Sequence, residues 1–316
     1  MVKGIVIKST GTWYDVKLED NSVLPCRIVG KFRLGKLKLT NPVAVGDEVE
    51  VEIQEEETKV GNIVKIAPRR NYVVRQSPRK KHFLHLLASN IDQAILVVTI
   101  VSPSLKQGFI DRFLLMTEPH NIPVTIIVNK SDLMSEEDHL LFEYIQAVYA
   151  NIGYPTILTS ATNKEGVQQV RDLLKDKTTL VCGQSGVGKS TLVNAVESTI
   201  EARIGDISDY TGKGQHTTTF AEMFPLSFGG QLIDTPGIKS LSFNNLEPMD
   251  VAHNFREFFI LSKDCKYSDC THREEPNCAV KAALEEGTIS EYRYKSYLNI
   301  LDGIEDQNYW ERHKDM

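Results

Sequence analysis

The chain of 316 residues lacks any apolar run long enough to cross a bilayer. The longest, Ala94 to Val101, falls far short of the roughly 20 residues a spanning helix needs. No basic leader followed by an apolar stretch opens it, so a cytoplasmic protein with no membrane partner is expected. Cysteine is scarce, with five in all, and in a reducing compartment those five are not expected to form disulfides. Acids are absent from two long stretches. Asn21 to Gly46 carries Arg27, Lys31, Arg33, Lys36 and Lys38 but no carboxylate. Thr58 to Ile91 carries Lys59, Lys65, Arg69, Arg70, Arg75, Arg79, Lys80 and Lys81, again with none. The net charge of −6 therefore conceals a basic front end on an acidic protein. A polyanionic partner, most simply nucleic acid, fits that asymmetry; a solvated basic linker is the alternative that charge alone leaves open.

Hydrophobic content of 41% and charged content of 25% are those of a globular chain, and its length predicts two or three domains. Residues 1–67 read as short alternating strands, as in Gly4-Ile5-Val6-Ile7-Lys8 and Asp47-Glu48-Val49-Glu50-Val51-Glu52-Ile53, separated by turn formers. A small closed barrel of the OB type is expected. Trp13, Tyr14, Phe32 and Arg33 are its candidates for RNA contact, with a place in the core as the alternative for some of them. Residues 68–90, punctuated by Pro68 and Pro78, read as a basic linker.

From Ile91 strands alternate with helices. Apolar β-branched runs at Ala94–Val101 and Val124–Val128 predict strands buried on both faces. Helices are predicted over Phe109–Glu118, from Ser135 (capped by Asp138) to near Gly153, and over Gly166–Lys175. A third strand spans Thr156–Thr159, and a hairpin crosses Gly229-Gly230 between Phe220–Leu226 and Gln231–Ile233. Such alternation predicts a mostly parallel sheet with ligands at the strands' carboxyl ends. Residues 91–245 form this unit, and residues 246–316 read as a helical domain with a Cys/His cluster.

Thr179–Cys182 feeds a loop of Gly183, Gln184, Ser185, Gly186, Val187, Gly188, Lys189, Ser190 and Thr191, and a helix follows. A strand, this glycine-rich loop and a helix are the required context of a phosphate cradle. Backbone N–H groups approach the phosphates, Lys189 bridges the β- and γ-phosphates, and Ser190 ligates Mg²⁺. Asn129-Lys130-Ser131-Asp132 closes a predicted strand. The Asp132 carboxylate can accept N1–H and N2–H of guanine, a pair that adenine does not offer. Asn129 is assigned to the base from its other side, the Lys130 stem to the ring face, and Ser160-Ala161 to O6 through the Ala161 N–H. Asp234-Thr235-Pro236-Gly237 supplies the switch, with Asp234 and Gly237 as GTP-binding residues and the Gly237 N–H on the γ-phosphate. The base-reading motifs precede the phosphate loop, the reverse of the usual order, so the GTP-binding unit is circularly permuted.

Cys265, Cys270, His272 and Cys278 offer three thiolates and an imidazole, the set of a closed structural zinc site. Cys26 and Cys182 fall in predicted strands and are assigned to the core.

The basic barrel, the permuted order, Gly214-x-His216-Thr217-Thr218-Thr219 and the Cys/His cluster together resemble the ribosome-small-subunit-dependent GTPase A family over nearly the whole chain. The resemblance implies a monomeric GTP hydrolase that binds the small ribosomal subunit and its rRNA, assists late maturation and is stimulated by the subunit. Ile238 stands where a water-orienting glutamine would, and an aliphatic side chain does not polarise water. His216 is the catalytic candidate beside Lys189 and Thr218, with Thr217 or Thr218 on Mg²⁺; the alternative for His216 is a solvated loop histidine. A rival function is an RNA-binding scaffold in which GTP is mainly structural, and Asp132 disfavours a third, an ATP-using kinase.

Overall fold

The computed structural model describes residues 1–29, 39, 41–53, 60–76, 84–106, 108–198, 200, 221–235 and 246–312. Strands β1 (Val2–Ser9), β2 (Tyr14–Leu18), β3 (Val23–Ile28), β4 (Glu48–Ile53) and β5 (Gly61–Ile66) pair in the order β1-β2-β3-β5-β4. β4 pairs back onto β1, so the barrel closes and keeps no free edge. The Glu-Val alternation of β4 sets the inward face: Val49 and Val51 join Val6, Tyr14, Val16, Cys26 and Ile63 in the barrel core. Tyr14 thus belongs to the core. Trp13 lies outside with the Arg27 guanidinium 3.9 Å over its ring, while Phe32 and Arg33 lie outside the described residues.

The expected linker is corrected by the structure. β6 (Tyr72–Gln76) and β7 (Leu84–Ser89) form an antiparallel hairpin, and Val73, Leu86, Leu87 and Ala88 are buried. It is fastened to the barrel by a buried ion pair. Arg69 donates twice to Asp47, at 2.6 Å each, and Ser89 Oγ donates to the same carboxylate. Gly46 sits at φ +94°, and a Cβ there would meet the Ser89 carbonyl oxygen at 2.0 Å.

β8 (Gln93–Val98), β9 (Val124–Val128), β10 (Thr156–Leu158), β11 (Thr178–Gly183) and β13 (Gln231–Asp234) are parallel in the order β10-β9-β8-β11-β13. β12 (Ala221–Pro225) adds antiparallel to β13. On β8, Ala94, Leu96 and Val98 face one core while Ile95 and Val97 face another, so the continuous apolar run serves both faces. Helices α1 (Phe109–Thr117) and α2 (Glu136–Ala150) cover the first face; α3 (Val167–Leu174) and α4 (Lys189–Val196) cover the second. Ser135 and Asp138 form the expected capping box of α2.

Two connections were not foreseen. β12 also pairs with β1, with Lys8 opposite Glu222 and Ser9 opposite Ala221, making one eleven-stranded sheet of barrel and nucleotide unit. Helices α5 (Pro248–Asn254), α6 (Arg256–Ser262), α7 (Ala279–Glu285) and α8 (Glu291–Arg312) share the first core with α1 and α2. There Arg293, wholly buried, meets Asp111 of α1 and Glu257 of α6. No helix of the described residues is long and apolar enough to cross a membrane.

Candidate active site and metal centre

The chain runs outward from β8 to β10, then returns to the other side of β8 as β11. That reversal opens a crevice beyond the carboxyl ends of β8 and β11, the usual ligand position in such sheets. The loop Gly183–Gly188 leaves β11 there. Gly188 has φ +83°, and an added Cβ would lie 2.6 Å from Asn129 Nδ2, so only glycine fits. No side chain caps α4 at Gly188, so the first-turn N–H groups of that helix face the loop. Lys189 Nζ lies 3.0 Å from Asp234 Oδ1 and donates to the Thr235 carbonyl at 2.9 Å. Gln184 is half-buried, whereas Ser185, Gly186, Ser190 and Thr191 are exposed.

The residues expected to read the base act partly as the frame of this loop. Asn129 Nδ2 donates to the Val187 carbonyl at 3.0 Å, and its Oδ1 accepts from Thr159 Oγ1 and from the Ala161 N–H at 3.3 Å. Both ends of the Asn129 amide are therefore engaged with protein, where contact with a base was expected. Lys130, in the left-handed region at φ 68°, donates to the Gly186 and Ser102 carbonyls at 2.7 and 2.8 Å. Asp132 is exposed, and its Oδ1 accepts from Ser160 Oγ. Asn129, Lys130, Asp132, Ser160, Ala161, Gly183 to Thr191 and Asp234 thus come together at one edge. His216, Thr217, Thr218 and Gly237 lie outside the described residues. Ser102, Thr159 and Glu165, whose carboxylate accepts from Ser131 Oγ, are framing residues that no motif announced.

Cys265, Cys270, His272 and Cys278 bring one ligand atom each to within 4.8 Å of one another. Cys265 and Cys278 sulfurs lie 3.9 Å apart, and His272 Nδ1 lies 3.7 and 3.4 Å from them. A tetrahedral zinc with ordinary bond lengths would set sulfurs about 3.8 Å apart and sulfur and nitrogen about 3.6 Å apart. The fit is close. Burial pushes the Cys270 thiol up to about 12 and raises Cys278 as well, so a cation is what would hold thiolates there. Burial lowers His272, which favours the neutral, ligating imidazole. Tyr294 and Tyr297 of α8 donate to the His272 and Thr271 carbonyls, both at 2.7 Å, and fix the loop from behind.

Comparison with known proteins agrees over the whole length. The RsgA GTPase profile matches residues 66–244, and the RsgA N-terminal domain profile matches residues 3–63. The small ribosomal subunit biogenesis GTPase RsgA of Phocaeicola vulgatus is 47% identical over 308 residues, covering 98% of this chain and 99% of its own. That of Flavobacterium psychrophilum is 46% identical, covering 97% and 94%. Among solved structures, YjeQ from Thermotoga maritima superposes with a TM-score of 0.75 at 34% identity, covering 96% of this chain and 98% of its own. YloQ, described as a circularly permuted GTPase, superposes at 0.71 with 33% identity, covering 97% and 96%. By architecture, motif order and sequence alike, the chain belongs to the RsgA family of circularly permuted GTPases.

Proposed function

We propose that this chain hydrolyses GTP and acts on the small ribosomal subunit during its biogenesis. The observation that carries the reading is the crevice itself. Asp132 with Ser160, Asn129, and the loop from Gly183 to Ser190 meet at one sheet edge in permuted order. Asp132 takes N1–H and N2–H of guanine, and Ser160 holds the plane of its carboxylate. The Ala161 N–H turns from Asn129 to O6. Loop N–H groups and the α4 N-terminus cradle the phosphates, and Lys189 passes from Asp234 to the β- and γ-oxygens. Ser190 would hold Mg²⁺ together with Thr217 or Thr218, and the ion would neutralise charge growing on the phosphates. Gly237 N–H addresses the γ-phosphate. His216 orients the attacking water, since Ile238 does not. Cys265, Cys270, His272 and Cys278 hold one structural zinc.

The barrel binds rRNA, with the Trp13–Arg27 stack as one contact. The protein works as a cytoplasmic monomer. The test is GTP turnover with and without purified small subunits, alongside ATP as the competing substrate. Stimulated, guanine-specific turnover supports the reading. A chain that binds GTP but turns it over no faster with subunits would instead be the scaffold in which GTP is structural.

A further inference from the structure

Helix α2 carries two apolar stripes where an ordinary surface helix carries one. The inner stripe, Phe142, Ile145 and Tyr149, is buried in the core that α2 shares with the sheet. The outer stripe stays largely exposed: Leu140 is 66% exposed and Tyr144 46%, with Leu141 at 42% and Leu133, just before the helix, at 53%. Leu140, Tyr144 and Ala147 follow one another at the i, i+4, i+7 spacing that aligns side chains along a helix. Single exposed leucines need no explanation, but a run along one helix marks a contact surface. The far end of the stripe is held in place. Tyr144 Oη lies 3.0 Å from Ser290 Oγ, and its ring meets Tyr292 edge-on at 6.2 Å.

Charge selects the occupant. Between Asp132 and Asn163 the chain has neither lysine nor arginine, while Glu136, Glu137 and Glu143 stand exposed beside the apolar stripe. Carboxylates at this density repel a phosphate backbone and attract cationic side chains. Lys and Arg collect instead in Asn21–Gly46 and Thr58–Ile91, two stretches without a carboxylate. We propose that the outer face of α2 is a docking surface for a basic, amphipathic protein segment, so that on the small subunit this face meets protein and not RNA. Apolar side chains of that segment would cover Leu140 and Tyr144, and its Lys or Arg residues would pair with Glu136, Glu137 and Glu143. The placement on the subunit rests on the proposed function.

The test uses the full chain and purified small subunits. Leu140→Ser and Glu143→Lys alter exposed side chains away from the nucleotide crevice, so subunit-free GTP turnover should be unchanged. Each should weaken co-sedimentation with subunits, about tenfold for the lost leucine contact. A benzophenone side chain at position 140 should then cross-link to a subunit protein in an RNase-resistant product that maps to a Lys/Arg-rich segment. Tighter sedimentation of Glu143→Lys, or a cross-link that RNase destroys, would mean an RNA partner and overturn the inference. Variants that sediment like the unaltered chain overturn it too. If the unaltered chain itself does not sediment with subunits, the functional reading fails, and the inference with it.

Discussion

At the scale of the residue, Asp132 shows how the site divides binding from framing. Its exposed carboxylate is fixed by Ser160, while its motif partners Asn129 and Lys130 spend their polar atoms on the phosphate loop. Asp132→Asn should therefore leave the loop intact and change the base. A carboxylate that accepts two N–H bonds from guanine is worth a few kcal/mol, so GTP affinity should fall about 10- to 100-fold. Xanthosine triphosphate should gain, because the new amide N–H can meet the O2 of xanthine. Competition binding of the two nucleotides measures this, and an unchanged preference would take the guanine contact away from Asp132. The motif residues were legible because each recognises its ligand within four or five neighbours. The cross-links from Asn129 to Val187 and from Lys130 to Ser102 were not, because they join segments far apart in sequence.

At the scale of the element, the strands and helices of the nucleotide unit fall where their periodicity puts them, as with β9 and the capped α2. The hairpin β6–β7 does not. Its basic residues and prolines masked Tyr72-Val73-Val74 and Leu84-His85-Leu86-Leu87-Ala88, two short apolar runs that only become strands once paired. What fastens them is the Asp47–Arg69 pair, whose aspartate side chain is fully buried. Removing one partner of a buried pair strands the other charge. Arg69→Ala should cost about 3–5 kcal/mol of stability in chemical unfolding. A loss below about 1 kcal/mol would show that Ser89 and the Ala44 N–H satisfy Asp47 unaided.

At the scale of the whole molecule, the C-terminal helices were legible as helices but not as part of the nucleotide unit's core. Nothing in the spacing of Arg293 announces a partner as distant as Asp111. The consequence is a short path between the two centres. Lys130 bridges the Gly186 and Ser102 carbonyls, and α1 begins a few residues later and carries Asp111 to Arg293 and the helices around the Cys/His cluster. On the proposed zinc assignment, Cys270→Ala should abolish metal binding at the Cys/His cluster, read as lost zinc stoichiometry, while GTP affinity stays within a few-fold of the unaltered chain. It should also erase the difference in subunit affinity between the GTP and GDP forms, because the short Cys/His loop has few apolar residues to order it without metal. Equal state-dependence in both proteins would make zinc a local fastener only.

The pairing of β12 with β1 has a consequence for where hydrolysis is timed. The segment that bears His216 re-enters the described fold at Ala221, whose neighbour across the ladder is Ser9 of the barrel. That end of the segment is thus shared between the barrel, through β1, and the nucleotide sheet, through β13, to whose side Lys189 and the phosphate loop belong. On the proposed function, a barrel seated on RNA and a barrel free in solution differ in what that end is tied to. On that reading the ladder ties the end of the candidate catalytic segment to whatever the barrel contacts.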